Sequence, residues 1–354
     1  MDYIEISGYK SIYQQRIDFE SVNLLVGSNG SGKSNFLSFF DLLKNLYNQN
    51  LRQYIALNGR IEKVLYNGSK VTNLISFKIE FDNGKNGYQV LLQKGLDNFV
   101  FRSEKLFYQQ DDGVEINNFA VESTLKHDDS YRARYVIKYL EGFRKYHFHD
   151  TGKDSPFAKP SHIIKDIHFL YSNGSNLAAF LFFIKVNHRL VYNRIVKMIQ
   201  SIAPFFLDFE LIIDPDNYIH LLWKDRYSEN LYGVTDLSDG TLRFIALVTL
   251  FQQPKLPDTI IIDEPELGLH PAAISKLAGM IHSAATRGCQ VIIATQSTDL
   301  ISYFTPESII TTDLINGRSV FKRLNSRDLE QWLEDYTIDD LWKRNIITTG
   351  QPNF

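Results

Sequence analysis

The octapeptide GSNGSGKS at residues 27–34 constrains the fold of this chain more than any other stretch. It fits the pattern G-x-x-x-x-G-K-[ST] without a mismatch, and it lies between the apolar run Val22–Val26 and a segment of helical periodicity. Glycines let the backbone curl so that its N–H groups point at phosphate oxygens, and the positive end of the following helix adds to this attraction. The pattern therefore predicts a strand, a phosphate-binding loop and a helix in succession.

The side chains and the backbone of this loop are predicted to hold ATP together with Mg²⁺. Lys33 is suited to neutralise the β- and γ-phosphate oxygens, and the Ser34 hydroxyl is suited to bind Mg²⁺. The residues assigned to ATP are Asn29, Gly30, Ser31, Gly32, Lys33, Ser34 and Asn35. A glycine-rich turn with a chance lysine is the alternative, and the flanking strand and helix patterns disfavour it.

A second candidate site follows the apolar run 259–262, which ends in the adjacent carboxylates Asp263 and Glu264. Continuous apolar runs are typical of parallel strands that are covered on both faces, and ligands bind beyond the carboxyl ends of such strands. We therefore predict that Asp263 binds Mg²⁺ and that Glu264 is a catalytic residue that orients and deprotonates the attacking water. Taken alone, the pattern also fits a strand that meets a solvated turn.

A third candidate site is the stretch DLSDGTLRF at residues 236–244, in which Ser238, Asp239 and Gly240 begin an apolar helix. Free backbone N–H groups and a hydroxyl at the positive end of a helix favour contact with an anion. An ordinary helix N-cap formed by Ser238 or Asp239 fits these residues equally well. The position of the stretch just before the run at 259–262 favours the phosphate-contacting role.

The order of these patterns predicts an α/β nucleotide-binding fold whose two halves lie at opposite ends of the chain. Residues 1–125 form the N-terminal ATPase half, with the P-loop (Walker A) and an antiparallel β-lobe. Residues 126–205 form a mainly helical insertion. Residues 206–354 form the C-terminal half. It contains the turn Ser238–Gly240 (the serine turn), the carboxylate pair Asp263 and Glu264 (Walker B), and a switch segment at the next strand.

Periodicity predicts the individual elements. Residues 2–26 are predicted to contain two short strands, YIEIS and VNLLVG, and residues 34–49 a helix with one broad buried face. The remaining predictions are strands at LISFKIEF, YQVLLQ, NFVFR, FELIID and YIHLLWKD, helices at 130–146, 176–203 and 271–285, and buried parallel strands at 259–262 and 290–295.

Composition limits the cellular setting. The 354 residues carry a formal net charge of −3, which gives no overall attraction to nucleic acid or to an anionic membrane. The single cysteine, Cys289, rules out an intramolecular disulfide and is expected to be a small core residue in a protein of the reducing cytoplasm. We expect a soluble protein without a secretion signal, a membrane span or a membrane partner, because the most apolar stretch is too short to cross a bilayer.

The residues described so far resemble ABC-type ATPases. LSDGT at 237–241 resembles the variant signature of the SMC, RecF and OLD group. The stretches 146–159, 173–181, 203–216 and 336–350 resemble the stand-alone prokaryotic ATPases of the AAA_21 group, which are ABC-type. This resemblance covers nearly the whole chain. It implies an ABC-type P-loop fold with an antiparallel β-lobe and a helical insertion between the Walker A and signature motifs.

The resemblance also implies that Ser238, Asp239 and Gly240 act in trans. In ABC-type ATPases the signature closes on the nucleotide that is bound to the other subunit. In a single chain this turn is expected to lie far from its own phosphates, so that it completes an ATP site only in a head-to-tail homodimer or a higher oligomer.

Two more site residues follow from the same resemblance. ABC-type ATPases usually carry a histidine at the position of Gln296 to contact the γ-phosphate, and Gln296 is therefore assigned as a catalytic residue beside Lys33 and Glu264. A glutamine donates a hydrogen bond but neither carries charge nor shuttles a proton, so we expect slow hydrolysis. Lys10 resembles the basic residue that SMC-like ATPases place near the phosphates and is assigned to ATP binding.

The resemblance implies a biological role as well. ATPases of this group are often encoded beside a small effector, frequently nuclease-like, in systems that resemble anti-phage defence. The expected function is therefore a dimeric regulator or scaffold of a separately encoded effector. The alternative is a RecF-like repair protein that binds DNA when ATP is bound. A transporter subunit is disfavoured, because Asp239 replaces the second signature glycine and the insertion is long.

Three further features stay open at this point. His147 and His149 share a face if they lie on a strand, but no third ligand cluster accompanies them, so a hydrogen-bonded structural role is favoured over a metal site. The basic and tyrosine-rich segment 130–146 fits a nucleic-acid contact, and a solvated helix is favoured. Gln89 and Gln93 both fit the glutamine that senses Mg²⁺ in ABC-type proteins.

Overall fold

The computed structural model describes residues 1–109, 111–333 and 336–343. The chain divides into two compact units. Unit 1 comprises Met1–Phe143 and the described residues from Ile292 onward, and unit 2 comprises Arg144–Val291. Each unit is described by itself below.

The strands of the described chain are β1 (Tyr3–Tyr9), β2 (Ile12–Asp18), β3 (Val22–Val26), β4 (Leu74–Phe81), β5 (Asn86–Lys94), β6 (Phe99–Tyr108), β7 (Val114–Asn117), β8 (Phe143–Tyr146), β9 (Ser161–His162), β10 (Phe206–Glu210), β11 (Tyr218–Ile219), β12 (Leu222–Asp225), β13 (Leu231–Tyr232), β14 (Thr259–Asp263), β15 (Gln290–Thr295), β16 (Ile309–Ile315) and β17 (Arg318–Arg323).

The helices are α1 (Lys33–Tyr47), α2 (Leu51–Leu57), α3 (Arg60–Val64), α4 (Tyr131–Gly142), α5 (Leu177–Asn187), α6 (Arg189–Gln200), α7 (Asp239–Gln252), α8 (Pro271–Thr286), α9 (Thr298–Ile301), α10 (Glu330–Leu333) and α11 (Ile338–Lys343). Short 3₁₀ turns lie at Leu125–His127, Pro156–Ala158, Val234–Asp236, Pro306–Ser308 and Ser326–Leu329.

The antiparallel lobe of unit 1 is a sheet with the strand order β2-β1-β4-β5-β6-β7. In β4 every second residue is buried, which matches the alternation of the sequence LISFKIEF. The predicted strand at LISFKIEF is confirmed, as are YQVLLQ, within the longer β5, and NFVFR, whose last four residues begin β6.

The N-terminal segment holds one strand more than predicted. Two strands were expected between residues 2 and 26, whereas the structure has β1, β2 and β3. The sequence of β2, IYQQRID, buries only Ile12 and Ile17 and leaves a polar stretch between them, so it lacks apolar alternation. Its strand conformation comes from the register with β1, in which Tyr3 pairs with Asp18 and Tyr9 with Ile12.

The second sheet of unit 1 surrounds β3, with the strand order β17-β16-β3-β15. β16 runs parallel to β3, with Ile309 opposite Leu24 and Thr311 opposite Val26, and β17 returns antiparallel to β16. Every residue of β3 is buried, as expected for a parallel strand covered on both faces.

Helix α1 directly follows the glycine loop and forms the core of unit 1. Its buried apolar residues form the one broad face that periodicity predicts, and they are Phe36, Leu37, Phe39, Phe40, Leu42, Leu43, Leu46 and Tyr47. Burial of a side chain of this size stabilises the fold by about 1.5 to 3 kcal/mol. The rigid α1 and β3 therefore hold the two ends of the loop between them.

In unit 2, β8 and β14 are hydrogen-bonded neighbours, and β10, β12 and β13 form a small antiparallel sheet. All positions of β14 before Asp263 are buried. Helix α7 is buried along nearly its whole length, whereas α8 begins with Pro271 at its first turn. The serine turn therefore lies at the start of α7, and the carboxylate pair lies at the end of β14.

Two predicted helices are wrong in their extent. The helix predicted at 130–146 ends at Gly142, and Phe143–Tyr146 instead forms β8, because hydrogen bonding to β14 outweighs helical propensity there. The helix predicted at 176–203 is broken at His188, whose backbone (φ −137°, ψ 56°) separates α5 from α6.

The predicted strand YIHLLWKD also divides, into the short β11 and β12. Within the described residues, no helix is long and apolar enough to cross a lipid bilayer. The family-like stretch 336–350 is described only as far as residue 343, where it forms α11, and its remainder lies outside the described residues. Cys289 is buried, and burial raises the pKa of its thiol to about 12, which confirms the prediction of a core residue.

Candidate functional site

The loop 27–34 connects the end of β3 to the start of α1, in unit 1. Gly30 (φ 79°) and Gly32 (φ 111°) adopt the left-handed backbone conformation that glycine adopts without strain. Gly32 precedes the first residue of α1, so the loop ends at the positive pole of a helix of 15 residues. The two glycines therefore shape the concave backbone that an anion requires.

The interior of the loop carries an unsatisfied polar atom. Ser31 is 1% exposed, and no group among the described residues hydrogen-bonds its buried Oγ atom. A Cβ atom at Gly27 would come within 2.9 Å of this oxygen and within 2.2 Å of the Thr312 carbonyl oxygen. A buried hydroxyl without a partner costs about 1 to 3 kcal/mol, which a phosphate oxygen would offset. The loop thus fits a phosphate group.

Lys33 is 5% exposed and is held inside the loop. Its Nζ atom donates hydrogen bonds to the carbonyl oxygens of Gly27, at 2.6 Å, and of Ser28, at 2.9 Å. The ammonium group is therefore positioned by the loop backbone, and it brings a positive charge to the concave side, where phosphate oxygens would bind.

A serine from the far end of unit 1 supports the loop. The Oγ atom of Ser319, in β17, lies 2.8 Å from the Ser31 carbonyl oxygen and 2.7 Å from Ser11 Oγ. Asn35 Nδ2 in turn donates to Ser11 Oγ at 2.8 Å. A Cβ atom at Gly32 would lie 1.9 Å from Ser319 Oγ, so this glycine is also required by close packing. Sequence reasoning missed Ser319 and Ser11.

Lys10 lies beside the first turn of α1. Its backbone has φ 47° at the turn between β1 and β2, and its Nζ atom donates to Ser38 Oγ at 2.8 Å. Ser38 Oγ donates to the Asn35 carbonyl oxygen at 2.7 Å. An open cleft lined by Lys10, Asn35, Asn58 and Lys63 adjoins this turn. Lys10 therefore lies near the end of the predicted phosphate-binding segment.

Gln296 follows β15, and the structure brings it to the loop. Its Nε2 atom donates to Asn29 Oδ1 at 2.8 Å across 267 residues of sequence. Of the two candidates for the Mg²⁺-sensing glutamine, Gln89 lines a polar pocket of the antiparallel sheet with Arg16, and Gln93 pairs with Leu74 near the end of β5.

The carboxylate pair lies in unit 2, at the end of β14. Asp263 is the last residue of the strand, and Glu264 follows with φ 42°, in the left-handed region that a non-glycine residue rarely adopts. The Leu267 amide donates to the Glu264 carbonyl oxygen at 3.2 Å and closes a turn. Strained backbone of this kind costs about 1 to 3 kcal/mol and clusters at functional sites.

The serine turn also lies in unit 2, at the start of α7. The Ser238 side chain accepts a hydrogen bond from the Thr241 amide at 3.3 Å, so it caps the helix. Ser238 and Asp239 are exposed. A Cβ atom at Gly240 would lie 2.3 Å from the Gly268 carbonyl oxygen, so the turn packs closely on the segment that follows Glu264.

The predicted site residues therefore fall into two groups. The group in unit 1 comprises Lys10, Asn29, Gly30, Ser31, Gly32, Lys33, Ser34, Asn35 and Gln296. The group in unit 2 comprises Ser238, Asp239, Gly240, Asp263 and Glu264. Among the described residues, which include the segment 147–150, no group of three or more His, Cys, Asp or Glu side chains is arranged to hold a metal ion.

A buried parallel strand, a glycine loop at a helix start and a carboxylate pair after a second buried strand define the class of P-loop nucleotide-binding proteins. Residues 22–302 match the family described as "AAA domain, putative AbiEii toxin, Type IV TA system" (AAA_21), and the chain belongs to this family. The predicted membership in AAA_21 is thus confirmed. Members of this family are generally ATPases, and membership therefore supports ATP binding by this chain.

Solved structures support the same fold. One similar structure is titled "Crystal structure of the SmcHead bound to the C-winged helix domain of ScpA". Its TM-score is 0.61 at 16% identity, over 93% of this chain and 99% of that chain. Another is an Smc head domain with an extended coiled coil, bound to the C-terminal domain of ScpA derived from Pyrococcus furiosus. Its TM-score is 0.54 at 14% identity, over 94% of this chain and 98% of that chain.

These likenesses confirm the predicted ABC-type P-loop fold with its antiparallel β-lobe. A comparison with curated proteins finds no match for this chain.

Proposed function

We propose that this protein binds Mg-ATP in the loop 27–34 and hydrolyses it slowly as an ABC-type ATPase. The observation that carries the proposal is the buried Ser31 hydroxyl, which lacks a partner among the described residues inside a loop that already holds the Lys33 ammonium. Both groups suit phosphate oxygens, and the family match makes ATP the natural ligand.

The roles proposed for the individual side chains follow from phosphoryl-transfer chemistry. Lys33 neutralises charge on the β- and γ-phosphates, while Ser34 and Asp263 would hold Mg²⁺, which supplies further charge neutralisation. Glu264 orients the attacking water and accepts its proton. Gln296, fixed by Asn29, offers a neutral amide, so we expect a turnover below about 1 per second, the low end for enzymes.

The proposal includes a head-to-tail homodimer. Ser238 and Asp239 are exposed at the start of α7 and are therefore accessible to a second copy of the chain. We propose that this turn contacts the ATP held by the partner, where the helix start stabilises the γ-phosphate. The two contacts with Thr241 do not prevent this, because when the Thr241 hydroxyl donates to Ser238 Oγ, at 2.8 Å, Ser238 keeps its own proton for a phosphate oxygen.

We also propose a biological role as a regulator or scaffold of a separately encoded, nuclease-like effector in prokaryotic defence, in the cytoplasm. The support is the family description, which names a toxin and a toxin–antitoxin system, and the two SMC heads, each bound to a domain of ScpA. We likewise propose that the chain is organised as an N-terminal ATPase half (1–125), a mainly helical insertion (126–205) and a C-terminal ATPase half (206–354).

The Glu264→Gln variant tests the dimer and the catalytic role together. With saturating ATP and Mg²⁺ we expect it to elute at about twice the monomer mass of 40.9 kDa in chromatography with light scattering, because hydrolysis no longer opens the dimer. Lys33→Ala is the control, since it should lose ATP binding and stay monomeric. A Glu264→Gln protein that remains monomeric would show that the signature does not act in trans.

DNA binding is the second candidate function. Arg134 and Lys138 are exposed on α4 and are suited to contact a phosphate backbone. A gel shift with double-stranded DNA, with and without ATP, separates the two functions. ATP-dependent retardation that is lost in an Arg134→Ala, Lys138→Ala variant would favour the RecF-like role, whereas co-purification of a nuclease-like partner would favour the regulator.

A further inference from the structure

Arg243 makes an unusual set of contacts within unit 2. It lies in the first half of α7, the helix that begins with the serine turn. Its guanidinium Nε, Nη2 and Nη1 atoms donate hydrogen bonds to the backbone carbonyl oxygens of Phe148 at 3.1 Å, His149 at 2.9 Å and Leu267 at 2.7 Å. A single side chain thus ties α7 to two separate loops.

One of these loops carries Glu264. The Leu267 carbonyl held by Arg243 belongs to the residue whose amide closes the turn on the Glu264 carbonyl oxygen. Glu264 itself has φ 42°, a conformation that persists only where the surroundings enforce it. Arg243 and Glu264 also line one small cavity. Arg243 is therefore part of what holds the strained Glu264 turn.

The other end of the same contact set is the serine turn. Gly240 packs against the Gly268 carbonyl oxygen, one residue beyond Leu267. Asp239 accepts a hydrogen bond at 2.8 Å from the Thr151 hydroxyl, in the loop whose carbonyls Arg243 binds. A displacement of the serine turn would therefore shift both loops around Arg243.

The chemistry of arginine suits this task. The planar guanidinium presents its donors in a fixed fork, and charge-assisted hydrogen bonds are about twice as strong as neutral ones. The three carbonyl oxygens fix the plane of the guanidinium, so a shift of α7 would move the two loops that carry these carbonyls.

We propose that Arg243 is a positioning residue that couples the two ATP sites of the dimer. This inference rests on the proposed function: one chain's serine turn contacts the partner's ATP, while the same chain's Glu264 serves its own ATP. Seating of the serine turn on the partner's nucleotide would hold α7, and Arg243 would pass this on to the Glu264 turn. Hydrolysis at one site then depends on occupancy of the other.

The chain offers a matched control for a purely structural role. Arg287 donates to the carbonyl oxygens of Phe251 at 3.0 Å and Gln253 at 2.9 Å, at the opposite end of α7. Arg287 directly follows α8, and its guanidinium binds backbone carbonyl oxygens as that of Arg243 does. Arg287→Gln therefore removes comparable hydrogen bonds without touching the Glu264 turn.

The experiment compares full-length wild type, Arg243→Gln, Arg243→Lys and Arg287→Gln. It measures the dissociation constant for ATP by calorimetry, and kcat, KM and the Hill coefficient by phosphate release. For Arg243→Gln we expect an ATP affinity within about twofold of wild type, a kcat about 10- to 100-fold lower, as for other misplaced catalytic groups, and a Hill coefficient near one.

Arg243→Lys keeps the charge and a donor, so it should restore part of kcat, and Arg287→Gln should keep the wild-type kcat and Hill coefficient. A kcat for Arg243→Gln no lower than that for Arg287→Gln would overturn the coupling role. Should Arg243→Gln fail to fold, Arg243→Lys decides, and a wild-type kcat together with a wild-type Hill coefficient in that variant refutes the proposal. Failure of wild type to bind ATP would instead remove the proposed function, and this inference with it.

Discussion

The hydroxyl of Ser319 offers a direct test of how the phosphate loop is held. Ser319 Oγ donates to the Ser31 carbonyl oxygen at 2.8 Å, an atom that can only accept, and Ser319 Oγ also lies 2.7 Å from Ser11 Oγ. The chain of bonds begins at Asn35 Nδ2, which donates to Ser11. Ser319→Ala would therefore interrupt the series of hydrogen bonds that links β17 to the turn between β1 and β2 and to the loop 27–34.

The magnitude follows from burial. Ser319 is 1% exposed, and its removal leaves the Ser31 carbonyl without this donor. A buried acceptor that loses its partner costs about 1 to 3 kcal/mol. Because the affected carbonyl belongs to the loop that binds phosphate, we expect part of this cost to appear as weaker ATP binding. The whole cost would correspond to roughly 5- to 140-fold in affinity, at about 1.4 kcal/mol per factor of ten, so this range is the upper limit of the expected loss.

The assay is calorimetry of ATP with Mg²⁺, alongside thermal unfolding. The matched control is Thr311→Val, which removes a buried hydroxyl from the same hairpin, since Thr311 Oγ1 donates to the Lys322 carbonyl at 3.1 Å. We expect both variants to lose stability but only Ser319→Ala to lose affinity. Equal ATP affinity in the two variants would refute the idea that Ser319 supports the loop.

Two further predictions concern titratable groups. Burial raises the pKa of the Cys289 thiol to about 12, so a native protein at pH 8 should resist alkylation by iodoacetamide and react fully in denaturant; rapid native labelling would contradict the burial. Burial, and then the hydrogen bond to Glu141 at 2.7 Å, raises the pKa of Tyr47 from its usual value near 10 to about 12. This group's stabilisation is complete below pH about 10 and is lost as the pH rises towards 12. Tyr47→Phe should weaken the pH dependence of the free energy of unfolding, measured by urea titrations, between pH about 10 and about 12. An unchanged pH dependence in this variant would rule the contribution out.

Local patterns were enough for the elements that carry the loop. The buried positions of α1 and the alternation of β4 follow directly from residue spacing, because each position's face is set by the helical or strand period. The predictions failed where pairing outweighed local preference. Residues 143–146 continue a helical pattern but form β8 beside β14, and β2 is a strand because β1 pairs with it.

The sequence by itself determined the chemistry of the phosphate loop, because glycine at φ 79° and 111° and a lysine at a fixed spacing are local requirements. The tertiary structure alone decided what surrounds that loop. Ser319 reaches the Ser31 carbonyl across 288 residues, and Gln296 reaches Asn29 across 267. No local pattern marks such partners, because they meet only through the order of strands in the sheet. The same holds for Arg243. Its sequence context predicts only a position on a helix, and the three carbonyl oxygens that it binds are brought to it by the tertiary fold.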